Sequence, residues 1–227
     1  MNSSMKQNRK PLRRLALAAA VALSMITNAA LAQSGYPPAS PLAAQWWQWA
    51  LGTPASENPL TDTTGQFAAV NQSPSGRIWF LAGNFGGTTV RTITVPKGAA
   101  LFFPIVNVFD VEDGIGIPGG TRFFLVPQPV QVAQTFVASA IATAHDLSCQ
   151  VDGSPVTANL EQSTPFSVLL PQDNILGVPK GVYYPAVDSG YYVLLRPLAS
   201  GQHTIHFSGG TTFFNSSLDV TYHITVQ

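Results

Sequence analysis

The chain reads as an all-β protein, a β-sandwich of jelly-roll-like or immunoglobulin-like type with two attached α-helices. Three observations predict it. Short apolar runs rich in Val, Ile, Thr, Phe and Tyr recur about every ten residues, several of them alternating with polar positions. Gly and Pro, 19 and 18 of the 227 residues, fall between those runs as turn punctuation. Charge is sparse at 10% while 45% of residues are hydrophobic, a balance that suits a packed core and not a disordered chain.

Residues 1–32 stand apart as a signal peptide. Lys6, Arg9, Lys10, Arg13 and Arg14 precede an apolar run over 15–26, and Ala30, Leu31 and Ala32 stand before Gln33. Basic, apolar and small-residue regions in that order are the signature of a secretory signal. The apolar run is about a dozen residues, short of the roughly 20 that a membrane-spanning helix needs. The expectation is cleavage after Ala32, no membrane insertion, a periplasmic or secreted location, and one β-sandwich domain over 33–227.

Removing the leader changes the electrostatics. All 11 acidic residues follow it, against six basic ones (Arg77, Arg91, Lys97, Arg122, Lys180 and Arg196), so six minus eleven leaves a net −5. Nucleic acid is excluded as a partner, because phosphate binding needs clustered Lys and Arg and these six are scattered. A single cysteine, Cys149, allows no internal disulfide. It alternates with Leu147 and Val151 on the apolar side of an expected strand, which makes it an inert core thiol.

The elements follow in order. Ser40 and Pro41 read as an N-cap and first-turn pair and Gly52 as a stop, predicting an N-terminal helix over about 41–51. Leu42, Trp46, Trp49 and Ala50 form its buried stripe, with Trp47 turned about 100° away, open for stacking on a sugar ring. Residues 53–75 are loop. Strands are expected over 77–82, 88–95, 100–108 and 121–125, then an amphipathic helix within 129–145 on Val130, Phe136, Val137, Ile141 and Ala144. A hairpin follows, 147–151 and 155–160 joined by an Asp152-Gly153 turn. The last strands are 166–170, 191–196, 203–207 and 218–226.

The segments Trp79-Phe80-Leu81-Ala82-Gly83, Phe85-Gly86-Gly87, Val95-Pro96-Lys97-Gly98 and Leu101-Phe102-Phe103-Pro104-Ile105, with Arg91 and the ending Gly201-Gln202-His203-Thr204-Ile205-His206-Phe207, resemble a group of uncharacterised exported bacterial proteins over most of the chain. That resemblance implies a shared fold and export, and no activity. Members of the group carry cysteines near 67–70 and 92–94, where this chain has none, so it implies no disulfide here.

Several motifs are set aside. Asp62-Thr63-Thr64-Gly65 lacks the second carboxylate turn of an acid protease and reads as an Asx-capped turn. No Gly-x-Ser-x-Gly elbow occurs, and the glycines 83–87 precede a strand, which leaves no helix N-terminus for a phosphate. Asp219, Thr221 and His223 should face outward on the last strand. If it pairs with 203–207, His206 and His223 come within reach of Asp219 in a geometry able to hold a divalent metal.

The candidate site lies around Asp110, Glu112 and Asp113, carboxylates placed just after the apolar run 100–108, where the loops of a sandwich build sites. Hard oxygen ligands there suit calcium, and Asp110 or Glu112 could act as acid or base on a polysaccharide. Arg91 shares the parity of Ile93 and Val95 and so points inward, where a guanidinium needs a carboxylate or an anionic ligand; the acidic loop is the expected partner, with Glu57 and Asp62 as competitors. Trp79, Asn107 and Trp47 complete the candidates as ligand-binding residues. The functional expectation is an exported binding protein for a carbohydrate or other neutral small molecule; a polysaccharide hydrolase or lyase and a ligand-free structural envelope protein are the alternatives.

Overall fold

Thr89, Arg91, Ile93 and Val95 point into the protein and the residues between them point out, so the alternation read from the sequence is the alternation of the strand itself. The computed structural model describes residues 39–73, 75–111 and 129–227. Residues 1–32, read above as a signal peptide, Glu112, Asp113 and the strand expected over 121–125 lie outside them. Ala39–Gln227 forms one compact unit.

Two five-stranded sheets face each other, giving a β-sandwich with two helices. The first has the order β1 (Ile78–Phe80), β3 (Ala100–Val111), β8 (Gly181–Leu195), β6 (Asn159–Gln162), with β7 (Phe166–Leu170) also on β8. The second runs β2 (Gly87–Val95), β10 (Ser216–Val226), β9 (Gly201–Thr211), β4 (Ala144–Val151), β5 (Ser154–Pro155). Most pairs are antiparallel, but β1 lies parallel to β3 and β2 to β10, so each sheet is mixed. The Asp152-Gly153 turn has both φ angles positive, 50° and 77°, as a two-residue hairpin connection requires.

The inter-sheet core holds Phe103, Ile105 and Val193 from the first sheet and Ile205, Phe207, Val220 and Tyr222 from the second. The helix α2 (Val130–Ile141) adds Ala133, Val137, Ala140 and Ile141 to it. The helix α1 (Ala39–Gly52) packs against β7, β8, β6 and β3 of the first sheet. Here Trp46, Trp49, Phe80, Phe102 and Tyr192 form an aromatic layer, with Phe102 and Tyr192 stacked at 5.1 Å.

Three details differ from the sequence reading. Ser40 lies inside α1, and its hydroxyl donates to Glu161 Oε2 at 2.7 Å instead of capping the helix. Strand β3 continues to Val111 because its pairing with β8 persists through Asp110 opposite Val187 and Val111 opposite Ala186. Asp110 is therefore a partly buried strand residue and not part of a loop. Strand β8 begins ten residues before the expected 191, carrying Pro185, Asp188 and Gly190 inside it.

Candidate functional site

Arg91 illustrates how the expected cluster is rearranged. It is buried, as its parity requires, but no carboxylate among the described residues lies within ion-pair distance. Its Nε donates to the main-chain oxygen of Asp62 at 2.7 Å, Nη1 to Ala82 O at 2.6 Å and Tyr222 Oη at 2.7 Å, and Nη2 to Gly83 O at 2.9 Å. The guanidinium also lies 5.3 Å from the centre of the Tyr222 ring. Loop carbonyls thus satisfy the charge, and Arg91 knits 62, 82–83 and β10 together without an ion pair to Asp110; Glu112 and Asp113 lie outside the described residues. The Asp62 carboxylate is engaged elsewhere. It accepts the main-chain N–H of Thr64, Gly65 and Phe67 and the Thr64 hydroxyl, the Asx-capped turn expected. Burial pushes its carboxyl upward, but these bonds together hold it below the usual range.

Trp47 is not a stacking platform. Its side chain is 5% exposed, its ring lies 4.3 Å from Phe109, and its indole N–H donates to Asp188 Oδ1 at 2.6 Å. The helix stripe was legible, but α1 is covered on a second flank by the β8 neighbourhood, which its sequence does not show. Trp79 is likewise buried in the inter-sheet core, its indole N–H without an acceptor among the described residues. Asn107, half-buried, donates to Tyr192 Oη at 3.0 Å. Cys149 is buried, and burial raises its thiol to about 11.

Asp188, which the sequence reading missed, is fully buried between α1 and the first sheet. Oδ1 takes two donors, Trp47 Nε1 and Tyr192 Oη at 2.8 Å, while Oδ2 has none among the described residues. Burial pushes its carboxyl up to about 7 against the pull of those two bonds. Gly190 makes room for the network: a Cβ there would stand 2.5 Å from Asn107 Cβ and 2.8 Å from the Tyr192 ring.

The other feature is the outer face of the second sheet. Register places Ser148, Ser208, Asp219 and Thr88 in one row, Gln150, His206, Thr221 and Val90 in the next, then Thr204, His223 and Thr92, then Gln202, Thr225 and Thr94. All are at least partly open to solvent. No Lys, Arg, Phe, Tyr or Trp stands in the grid. Clefts of about 270 Å³ and 240 Å³ adjoin it, one lined by Thr88, His145, Asp146, Ser208, Ser217 and Asp219, the other by Thr92, Asp152, Gln202, His203, Thr204 and His223. The β9–β10 hairpin forms as expected, with His206 at 3.2 Å from Asp219. Among the described residues no three His, Cys, Asp or Glu side chains gather to hold a metal. His203 bonds Asp152 at 2.7 Å and Ala199 O at 2.9 Å, so its two ring nitrogens are best served when both carry protons; the Asp152 bond raises its pKa.

The fold and this surface define a β-sandwich with one open polar sheet face. No family model, curated protein or solved structure matches the chain.

Proposed function

We propose that the chain is an exported binding protein whose outer sheet face takes a neutral, polyhydroxylated ligand such as a carbohydrate. The observation that carries the reading is the four-row grid on β2, β10, β9 and β4, made of hydroxyl, amide and imidazole side chains with the carboxylate of Asp219 and the apolar Val90. A sheet holds such groups at fixed spacings, about 4.8 Å across strands and about 6.8 Å between successive outward residues, so little ordering is left for binding to impose. Hydroxyls and amides both donate and accept, which matches a sugar's hydroxyls. The net charge of −5 expected after cleavage and the absence of Lys and Arg on the grid argue against anionic ligands.

Magnitude selects an extended ligand. Each net hydrogen bond contributes about 0.5–1.5 kcal/mol, while micromolar affinity needs about 8 kcal/mol beyond the cost of association. A single sugar ring touching one row falls short; a chain crossing several rows does not.

For the hydrolase or lyase reading, Asp110 sits within strand β3 and not on a loop, and no described residue favours that reading over binding. The test is a thermal-shift screen of the cleaved protein against neutral glycans and divalent metals. Anything that binds the native state raises the midpoint. A rise with a neutral oligosaccharide is expected; a rise with calcium alone, or with nothing, would reject the reading. Export is tested by mass spectrometry of protein expressed with its leader, which should begin at Gln33 outside the cytoplasm; an intact chain of 227 residues in the cytosol would contradict it.

A further inference from the structure

We infer that Asp188 forms a proton-dependent latch between α1 and the first sheet, closed when its carboxyl is protonated and loosened when it ionises. The inference is independent of the binding reading and rests on geometry. Asp188 is fully buried, both of its donors converge on Oδ1, and Oδ2 faces no donor. Complete burial outweighs the two donors on Oδ1, which favour the ion, and the neutral carboxyl keeps charge out of the site. An ionised one spreads charge onto Oδ2, where neither cation nor N–H meets it, and burial makes that costly.

Among the described residues the surroundings supply no compensation. Helix α1 has no titratable residue, and β7 has none either. On β3 the titratable residue is Asp110, next to Phe109, which lies opposite Asp188, so Asp110 belongs to the other face. On β6 it is Glu161, two residues along the same face of the sheet, which adds negative charge and holds the α1 end through Ser40. Tyr192 on β8 has its hydroxyl pKa raised, by burial above all, and stays a donor. The half-buried Asn107, bonded to Tyr192 Oη, links this buried pair toward solvent.

The consequence falls on α1. Trp47 anchors α1 to β8 at this carboxyl; ionisation strengthens that bond, but the cost of the buried charge is relieved only when α1 gives way and water reaches Oδ2. A carboxyl whose native pKa stands above its unfolded value stabilises the native state at low pH, and that stability is lost as pH rises through about 7.

The experiment follows the indole N–H resonance of Trp47, assigned with a Trp47→Phe variant, from pH 5 to 8.5 together with the thermal midpoint. His203 titrates in the same sense, but it lies in the second sheet and does not touch Trp47. The expected result is a Trp47 resonance that titrates near neutrality, a midpoint that falls over the same range, and loss of the resonance titration in Asp188→Asn. Should that variant fail to fold, Tyr192→Phe decides: removing one donor to the carboxylate moves the Trp47 titration upward in pH. A Trp47 resonance that is flat across the range, or titrates unchanged in Asp188→Asn or Tyr192→Phe, would overturn the latch.

Discussion

Arg91 shows what a single residue's parity reveals and what it conceals. Its inward direction was legible, because it alternates with Ile93 and Val95. Its partners were not, because main-chain carbonyls leave no trace in composition. Replacing Arg91 by Ala strands the oxygens of Asp62, Ala82 and Gly83 and removes a bond to Tyr222, so a loss of about 3–5 kcal/mol is expected in urea unfolding. A loss below about 1 kcal/mol would show that the site is solvated. Cys149 was legible in full, since the same alternation that buries it also keeps its thiol protonated. Thiol reagents should label it slowly in the native protein and readily in denaturant; fast native labelling would place the thiol at the surface.

At the scale of elements, α1 and β8 hold what the sequence hid. The apolar stripe of α1 was readable from Leu42, Trp46, Trp49 and Ala50, yet Trp47 is buried too, because the helix also presses on the β8 neighbourhood. Strand β8 escaped over 181–190 because Pro185, Asp188 and Gly190 are poor strand formers; the shared parity of Asp188, Gly190 and Tyr192 was the signal that could have found the site. Gly190 is required there, so Gly190→Ala should push Asn107 off Tyr192 and destabilise the fold by about 1–3 kcal/mol. An unchanged denaturation midpoint would mean that Asn107 relocates at no cost. For Asp188, the rise from the usual carboxylate value to about 7 corresponds to on the order of 4 kcal/mol between protonation states. Its sign follows from proton uptake: between about pH 4 and 7 the native state holds a proton that the unfolded chain has released, so stability declines with rising pH across that window and levels off above it. Asp188→Asn should flatten that part of the profile.

Over the whole molecule, the two-sheet architecture was legible because strands with one buried face must alternate, and β2, β7 and β10 do so over their lengths. The pairing order was not, since parallel partners such as β2 and β10 are set by long-range packing that no local pattern encodes. The same holds for the candidate binding face: each outward Thr was readable alone, while the grid exists only once β2, β10, β9 and β4 are in register. The central claim is therefore a claim about that register surface, and amide chemical-shift mapping with a neutral oligosaccharide selected by thermal shift tests it most directly. Perturbations should gather on Thr92, Thr204, Thr221 and His223 and fade in a Thr221→Arg variant that unfolds at the same midpoint. Perturbations centred instead on Asn107, Asp110 or the α1 face, with the grid unmoved, would contradict it.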